Sequence, residues 1–217
     1  MALAAVTKRH RFLAHSILPL AVLEAMRHLD SPRDEDAAEY VAEHLQKRLG
    51  LSDTVAAQIA RYEVVVRRDQ GVSHEEFEQI LRLAGRRTDA TLVFADGGRR
   101  AARRAVARLA PPIRWAARHL PSFMRRVVGF RAARRCAGDV LGASLARAGR
   151  SAVATIPDPV SVHATPDGAA CAFYAAALAE LLRQLADFDG GMHHAACRAR
   201  GDARCEWRST ALSRRTL

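Results

Sequence analysis

Four cysteines (Cys136, Cys171, Cys197 and Cys205) and the pair His193–His194 carry most of the chemistry in this 217-residue chain. Three of the cysteines fall in the last quarter, around the string GMHHAACRARGDARCEW. In an intracellular chain of this size, four cysteines are not by default a disulfide framework. Cys197 and Cys205 lie symmetrically about Gly201, so a hairpin closing at Gly201-Asp202 brings both thiols together across its strands. His194 stands just upstream, and Cys171 heads the preceding helical stretch. Cys171, His194, Cys197 and Cys205 make a Cys₃His set, which suits a tetrahedral zinc with every position filled by protein. A site of that kind is structural, because it leaves no position for an activated water. It makes one demand on the backbone. Residues 194 and 197 face opposite sides of a regular strand, so the chain must bulge or bend between them. The alternative of three small buried residues beside a surface histidine pair stays open. Cys136 reads as a buried helix residue.

The elements that must position these residues are legible in the punctuation. Phe12, Leu13, Ile17, Leu20, Leu23 and Met26 form one broad apolar helix face. Asp36 opens a second helix with Tyr40, Val41 and Leu45 inward, and Gly50 closes it. Ser52 caps a third through Val55, Ile59 and Tyr62. Ser73 with Glu76 makes a capping box before Phe77, Ile80 and Leu81, ending near Gly85. Helical pattern resumes at Asp89, breaks at Pro111-Pro112 and Pro121, and runs from about Phe123 to Leu145. Val153 to Val162, with Pro157 and Pro159, reads as strand or extended loop. Cys171 to Leu185 is helical, with Tyr174, Leu178, Leu181, Leu182 and Leu185 on one stripe. Met192 to Trp207 is the hairpin. Asp158 and Asp167, beside prolines, read as turn formers. The expected fold class is α+β: a helical region over residues 1–88, a ligand-binding domain over 89–210 and a tail, 211–217.

The formal net charge is +11, and its distribution matters more than its size. Fourteen arginines and one acid, Asp139, lie between Arg99 and Arg150, while the flanking regions are close to balanced. No apolar run approaches the ~18–20 residues of a membrane span. Lys8, Arg9, His10 and Arg11 precede an apolar stretch broken by Pro19 and Glu24, with no small-residue cleavage site, so the expected location is the cytoplasm.

At CAFYAAALAELL and HAACRARGDARCEW the chain resembles the 4-vinyl reductase domain family. The hallmarks of that family are a cysteine heading an aromatic-bearing helix, a strand with an acidic residue three positions before a cysteine, Gly-Asp, and a last cysteine followed by an acidic or polar residue and an aromatic. The family includes the phenol-sensing domains of bacterial transcription activators, in which three cysteines and a glutamate hold zinc. The resemblance places those ligands on Cys171, His194, Cys197 and Cys205, with His194 where the glutamate would stand. The run AGRRTDATLVFADGGRRAARRAVARLAPPIRWAARHLPSFMRR is similar to the bacteriochlorophyll-synthesis branch of the family. This chain departs from that branch at RAARRCAGDV, where an aromatic segment would be expected.

The resemblance implies a tetrapyrrole, a magnesium porphyrin or chlorophyllide intermediate, as the ligand of a carrier or accessory protein. Arg114, Arg118, Arg125 and Arg126, flanking Trp115 and Phe123, are the expected ligand-binding residues, with Arg meeting carboxylates and the aromatics meeting the ring. His119 and His163 are candidate axial ligands. A genuine 4-vinyl reductase would need an external electron donor, since no GxGxxG follows a strand and no Walker loop or iron–sulfur cluster motif is present. No catalytic residue is assigned, because Ser151, Ser161 and His163 form no nucleophile elbow. The other readings are a sensor of a small apolar molecule acting through a partner, contact with a pathway enzyme, peripheral contact with a membrane, and a homodimer. Nucleic acid is disfavoured for want of a helix-turn-helix or RNA-recognition signature.

Overall fold

The computed structural model describes residues 13–31, 49–149, 151–188 and 190–210. Phe12, the expected helix Asp36–Leu45 and the tail from residue 211 lie outside the described residues. The fold is mixed α+β, as the sequence predicts. Its helices are α1 (Ile17–Asp30), α2 (Asp53–Arg67), α3 (His74–Gly85), α4 (Ala90–Ala107), α5 (Pro111–His119), α6 (Ser122–Leu141), α7 (Val160–Ala164) and α8 (Cys171–Ala186). The strands are β1 (Leu13–His15), β2 (Gly71–Ser73), β3 (Ser144–Ala148), β4 (Ser151–Ile156), β5 (Met192–Ala196) and β6 (Cys205–Ser209). β1 and β2 pair by themselves, and the other four form an antiparallel sheet in the order β3-β4-β6-β5.

Helix α8 is the spine. Its stripe of Tyr174, Leu178, Leu181, Leu182 and Leu185 is fully buried, and α4, α6 and β5 all pack against it. The close approach of α6 needs a glycine, because a Cβ at Gly129 would overlap the Leu185 carbonyl. α1 lies on the other side of α4, and the buried core is continuous from Ala14 to Trp207.

Local signals hold where the partner is a near neighbour in sequence. Ser52 Oγ accepts from Val55 N at 3.3 Å, and Ser73 Oγ accepts from Glu76 N at 3.1 Å. Only half of the capping box forms, since Glu76 Oε1 accepts from Tyr62 Oη at 2.6 Å instead of reaching back. Gly50 lies in a 3₁₀ turn, Leu49–Leu51, pressed against α1, where its N–H donates to Asp30 Oδ2 at 2.8 Å.

Three boundaries differ from the expectation. Leu13 is not on the first helix face but in β1, 42% exposed, because residues 13–15 pair with β2 and His15 Nδ1 accepts from Ile17 N at the helix start. α6 stops at Leu141, where Gly142 takes a left-handed φ of 65°, so Leu145 is a buried β3 residue and not the end of a helix. Of the expected extended stretch Val153–Val162, only the part up to Ile156 is strand, and that strand starts earlier, at Ser151; after Pro159 the chain turns into α7.

Candidate metal centre

The hairpin forms where its turn residues put it. Gly201 adopts φ 95°, and Asp202 closes the loop by accepting from Cys197 N through Oδ2 at 2.6 Å. The required irregularity in β5 is present. His194 pairs with Trp207 and Ala196 with Glu206, so β5 advances two residues while β6 advances one. That bulge at Ala195 resets the side-chain alternation and lets residues 194 and 197 point the same way.

Cys171, the first residue of α8, completes the group. One donor atom from each of Cys171, His194, Cys197 and Cys205 lies within 4.8 Å of the others, so the cluster can hold a metal ion. Tetrahedral bonds of about 2.3 Å to sulfur separate ligand atoms by roughly 3.8 Å, so only a small contraction is needed. All three cysteines are fully buried and none is in a disulfide. His194 Nε2 is buried without a hydrogen-bond partner, an orphan that a cation would satisfy. The imidazole is stacked on the buried Trp207 ring, 4.9 Å between centroids and 9° from parallel, which fixes its plane.

Without a metal, burial keeps Cys171, Cys205 and His194 uncharged. Burial pushes the Cys171 thiol well up; Ser161 opposes this through a 3.1 Å contact, and the neighbouring Cys205 and Cys197 reinforce it. Cys205 is raised for the same first reason, eased by the Arg198 N–H that donates to its sulfur at 3.4 Å. Burial and then Arg200 lower the His194 pKa, leaving the neutral ring a ligand requires. A dication supplies the positive charge that would convert these crowded thiols to thiolates.

Ser161 and the Arg198 amide support the cluster without having been assigned to it from the sequence, and Asp202, the expected turn residue, supports it through Cys197 N. The start of α8 is held by Thr165, whose Oγ1 accepts from Ala170 N at 3.0 Å and donates to Ser161 O at 3.3 Å. Gly168, at φ 74°, lets the loop pass the Cys197 sulfur, which a Cβ would approach to 2.9 Å. Cys136 is buried in α6, as expected. Asp167 does close a turn, accepting from Ala169 N at 3.0 Å. Asp158 accepts from Arg198 Nη1 at 2.7 Å and contacts His163 Nε2 at 3.1 Å.

The described residues expected to bind ligand have the following surroundings. Arg125 pairs with Asp187, which also lies 3.9 Å from Arg126, and Arg114 donates to the Ala107 carbonyl at 3.1 Å. Trp115 is 59% exposed and stacked on His119. The side chains of Arg118 and Phe123 lie outside the described residues. Two clefts are lined by other groups. One, about 800 Å³, lies between the end of α4 and α6, with Arg108, Arg131, Arg134 and Arg135 around Ile113 and Val128. The second, about 700 Å³, is bordered by His15, His74, Asp139, Asp158 and Tyr174.

The fold and cluster together define a mixed α+β protein with a three-cysteine, one-histidine site able to hold a metal. No family model, no curated protein and no solved structure matches the chain. Among the described residues, no helix is long and apolar enough to cross a membrane.

Proposed function

We propose that this chain is a binding protein of the 4-vinyl reductase domain type, in which a structural zinc ion ties the β5–β6 hairpin to α8 and the arginine-lined cleft receives a carboxylate-bearing tetrapyrrole. With four protein ligands, bound zinc supplies cross-linking and no reactive water. The cleft carries the ligand reading. Arg131, Arg134 and Arg135 border it beside Ile113 and Val128, and none of the three forms an ion pair with a described carboxylate. A macrocycle lies against the apolar side chains, and its carboxylate takes charge-assisted hydrogen bonds from the guanidiniums. The cleft's volume falls within the roughly 300–1,000 Å³ of small-molecule sites. This moves the ligand one helix face away from Arg114, Arg125 and Arg126, whose charges already have acceptors.

The test is a titration of purified protein with magnesium protoporphyrin monomethyl ester, followed by the Soret band, alongside metal analysis. Saturable one-to-one binding to protein carrying one zinc is the expected result. A Soret band that never shifts at saturating protein would remove the tetrapyrrole reading, and protein purified without metal would remove the zinc.

A further inference from the structure

We infer that the outer face of α5 and α6 docks on an anionic membrane surface. α6 turns Ala133, Cys136, Ala137 and Val140 into the core, so its opposite face is Met124, Val127, Val128, Arg131, Arg134 and Arg135, at i, i+3, i+4, i+7 spacing. A helix face left to water ordinarily carries charge along its whole length. Here the first two turns are apolar, with Met124 41% and Val127 47% exposed, and the next two are basic. Trp115 on the preceding helix is also exposed. Half of the exposed large apolar side chains of the described chain thus lie in one short stretch, Trp115 to Val128.

The patch carries a net positive charge: Asp139 lies beside Arg131, Arg134 and Arg135 at the far end of α6, and Asp187 pairs with Arg125 at its start, but arginines outnumber the acids around it. No acidic residue occurs in the sequence between Asp96 and Asp139. An anionic bilayer meets both requirements at once: the apolar side chains enter the boundary between headgroups and acyl chains, and the guanidiniums reach lipid phosphates. Tryptophan favours that boundary, with its ring in the apolar layer and its N–H toward the headgroups. A nucleic acid would use the arginines and leave Met124 and Val127 in water. A second copy of the same face would set arginines against arginines. The face shares Val128, Arg131, Arg134 and Arg135 with the proposed tetrapyrrole cleft, but its apolar half, Trp115, Met124 and Val127, does not line that cleft, so variants there separate docking from porphyrin binding.

The two tryptophans make the test direct. Trp207 is completely buried, so a change in emission on adding lipid reports Trp115. The full-length, metal-loaded protein is mixed with vesicles of phosphatidylglycerol and phosphatidylcholine, or of phosphatidylcholine alone. Docking predicts co-sedimentation and a blue shift with the anionic vesicles only, both reduced by salt. Met124→Asp with Val127→Asp should weaken vesicle binding by about tenfold or more, while metal content, circular dichroism and porphyrin titration stay as in the parent. No sedimentation with anionic vesicles overturns the proposal. So does sedimentation without a Trp115 shift, or undiminished binding by the double variant, since either means adhesion by charge alone. A lipid-independent Trp115 shift that grows with protein concentration would assign the face to self-association instead.

Discussion

The cysteine hairpin and the arginine-rich helices stand out equally in the sequence, yet they reach the structure in opposite ways. In the hairpin, three of the four donors sit within one local turn of chain, and their spacing alone dictates how they meet. In the helices, the arginines point in all directions around α4 and α6 and find acceptors far away in sequence. Arg103 reaches Glu180 at 3.2 Å and Arg104 reaches Glu24 at 3.1 Å; Arg108 pairs with Asp69 and Arg125 with Asp187. Density of charge says little about its use. A thiol cluster is committed by its own geometry, whereas an arginine is committed by whatever the fold brings beside it.

The sharpest way to break the contrast is at Cys205. Cys205→Ser should release the metal and lower the melting temperature by roughly 10 °C, given about 4 kcal/mol of coupled metal binding and ~2–4 °C per kcal/mol at this size. Metal analysis and calorimetry read both, and an unchanged melting temperature with metal retained would show that Cys205 is not a ligand.

A buried arginine outside the basic block tests whether pairing or density sets the energetic role. Arg87 donates to Asp30 through two bonds of 2.7 and 2.8 Å and also holds Asp89. Burial alone would raise the Asp30 carboxyl, but the Arg87 bonds, with the Gly50 N–H, hold it below its usual value. Its stabilisation is therefore complete above the unfolded carboxyl value of about 3.9 and is lost as pH falls through the lower folded value. Asp30→Asn should cost about 3 kcal/mol at neutral pH by taking from Arg87 the more buried of its two carboxylate partners, leaving it only Asp89. Its unfolding midpoint should also lose part of the parent's acid dependence below about pH 4, which urea melts at several pH values would measure.

Within the basic block the same logic divides neighbours. Arg134→Ala with Arg135→Ala should weaken porphyrin binding by about tenfold, ~1.4 kcal/mol, and leave the melting temperature nearly unchanged. The smallest effect is expected from Arg125→Ala, a loss of about 1 kcal/mol of stability from the Asp187 pair, discounted for its partial exposure, with porphyrin affinity intact. If the two variants exchanged phenotypes, the cleft would be misplaced.

The helix caps at Ser52 and Ser73, the α8 stripe, the hairpin turn and even the need for a bulge before Cys197 were legible in the sequence. Each depends on residues a few positions apart, where backbone period and hydrogen-bond reach decide the outcome. The reversal at Gly142 into β3 and the β1–β2 pairing were not legible, because a strand is defined by a partner that periodicity does not name. The arginine pairings were not legible for a related reason. Arg125 and Arg126 sit beside aromatics in sequence, but the left-handed turn at Asp187 brings that carboxylate back to them. The sequence by itself determined which residues form the cluster able to hold a metal and the sign of the central charge. Only the tertiary structure decided which arginines were left facing a cleft, because that depends on which carboxylates long-range packing delivers to their side.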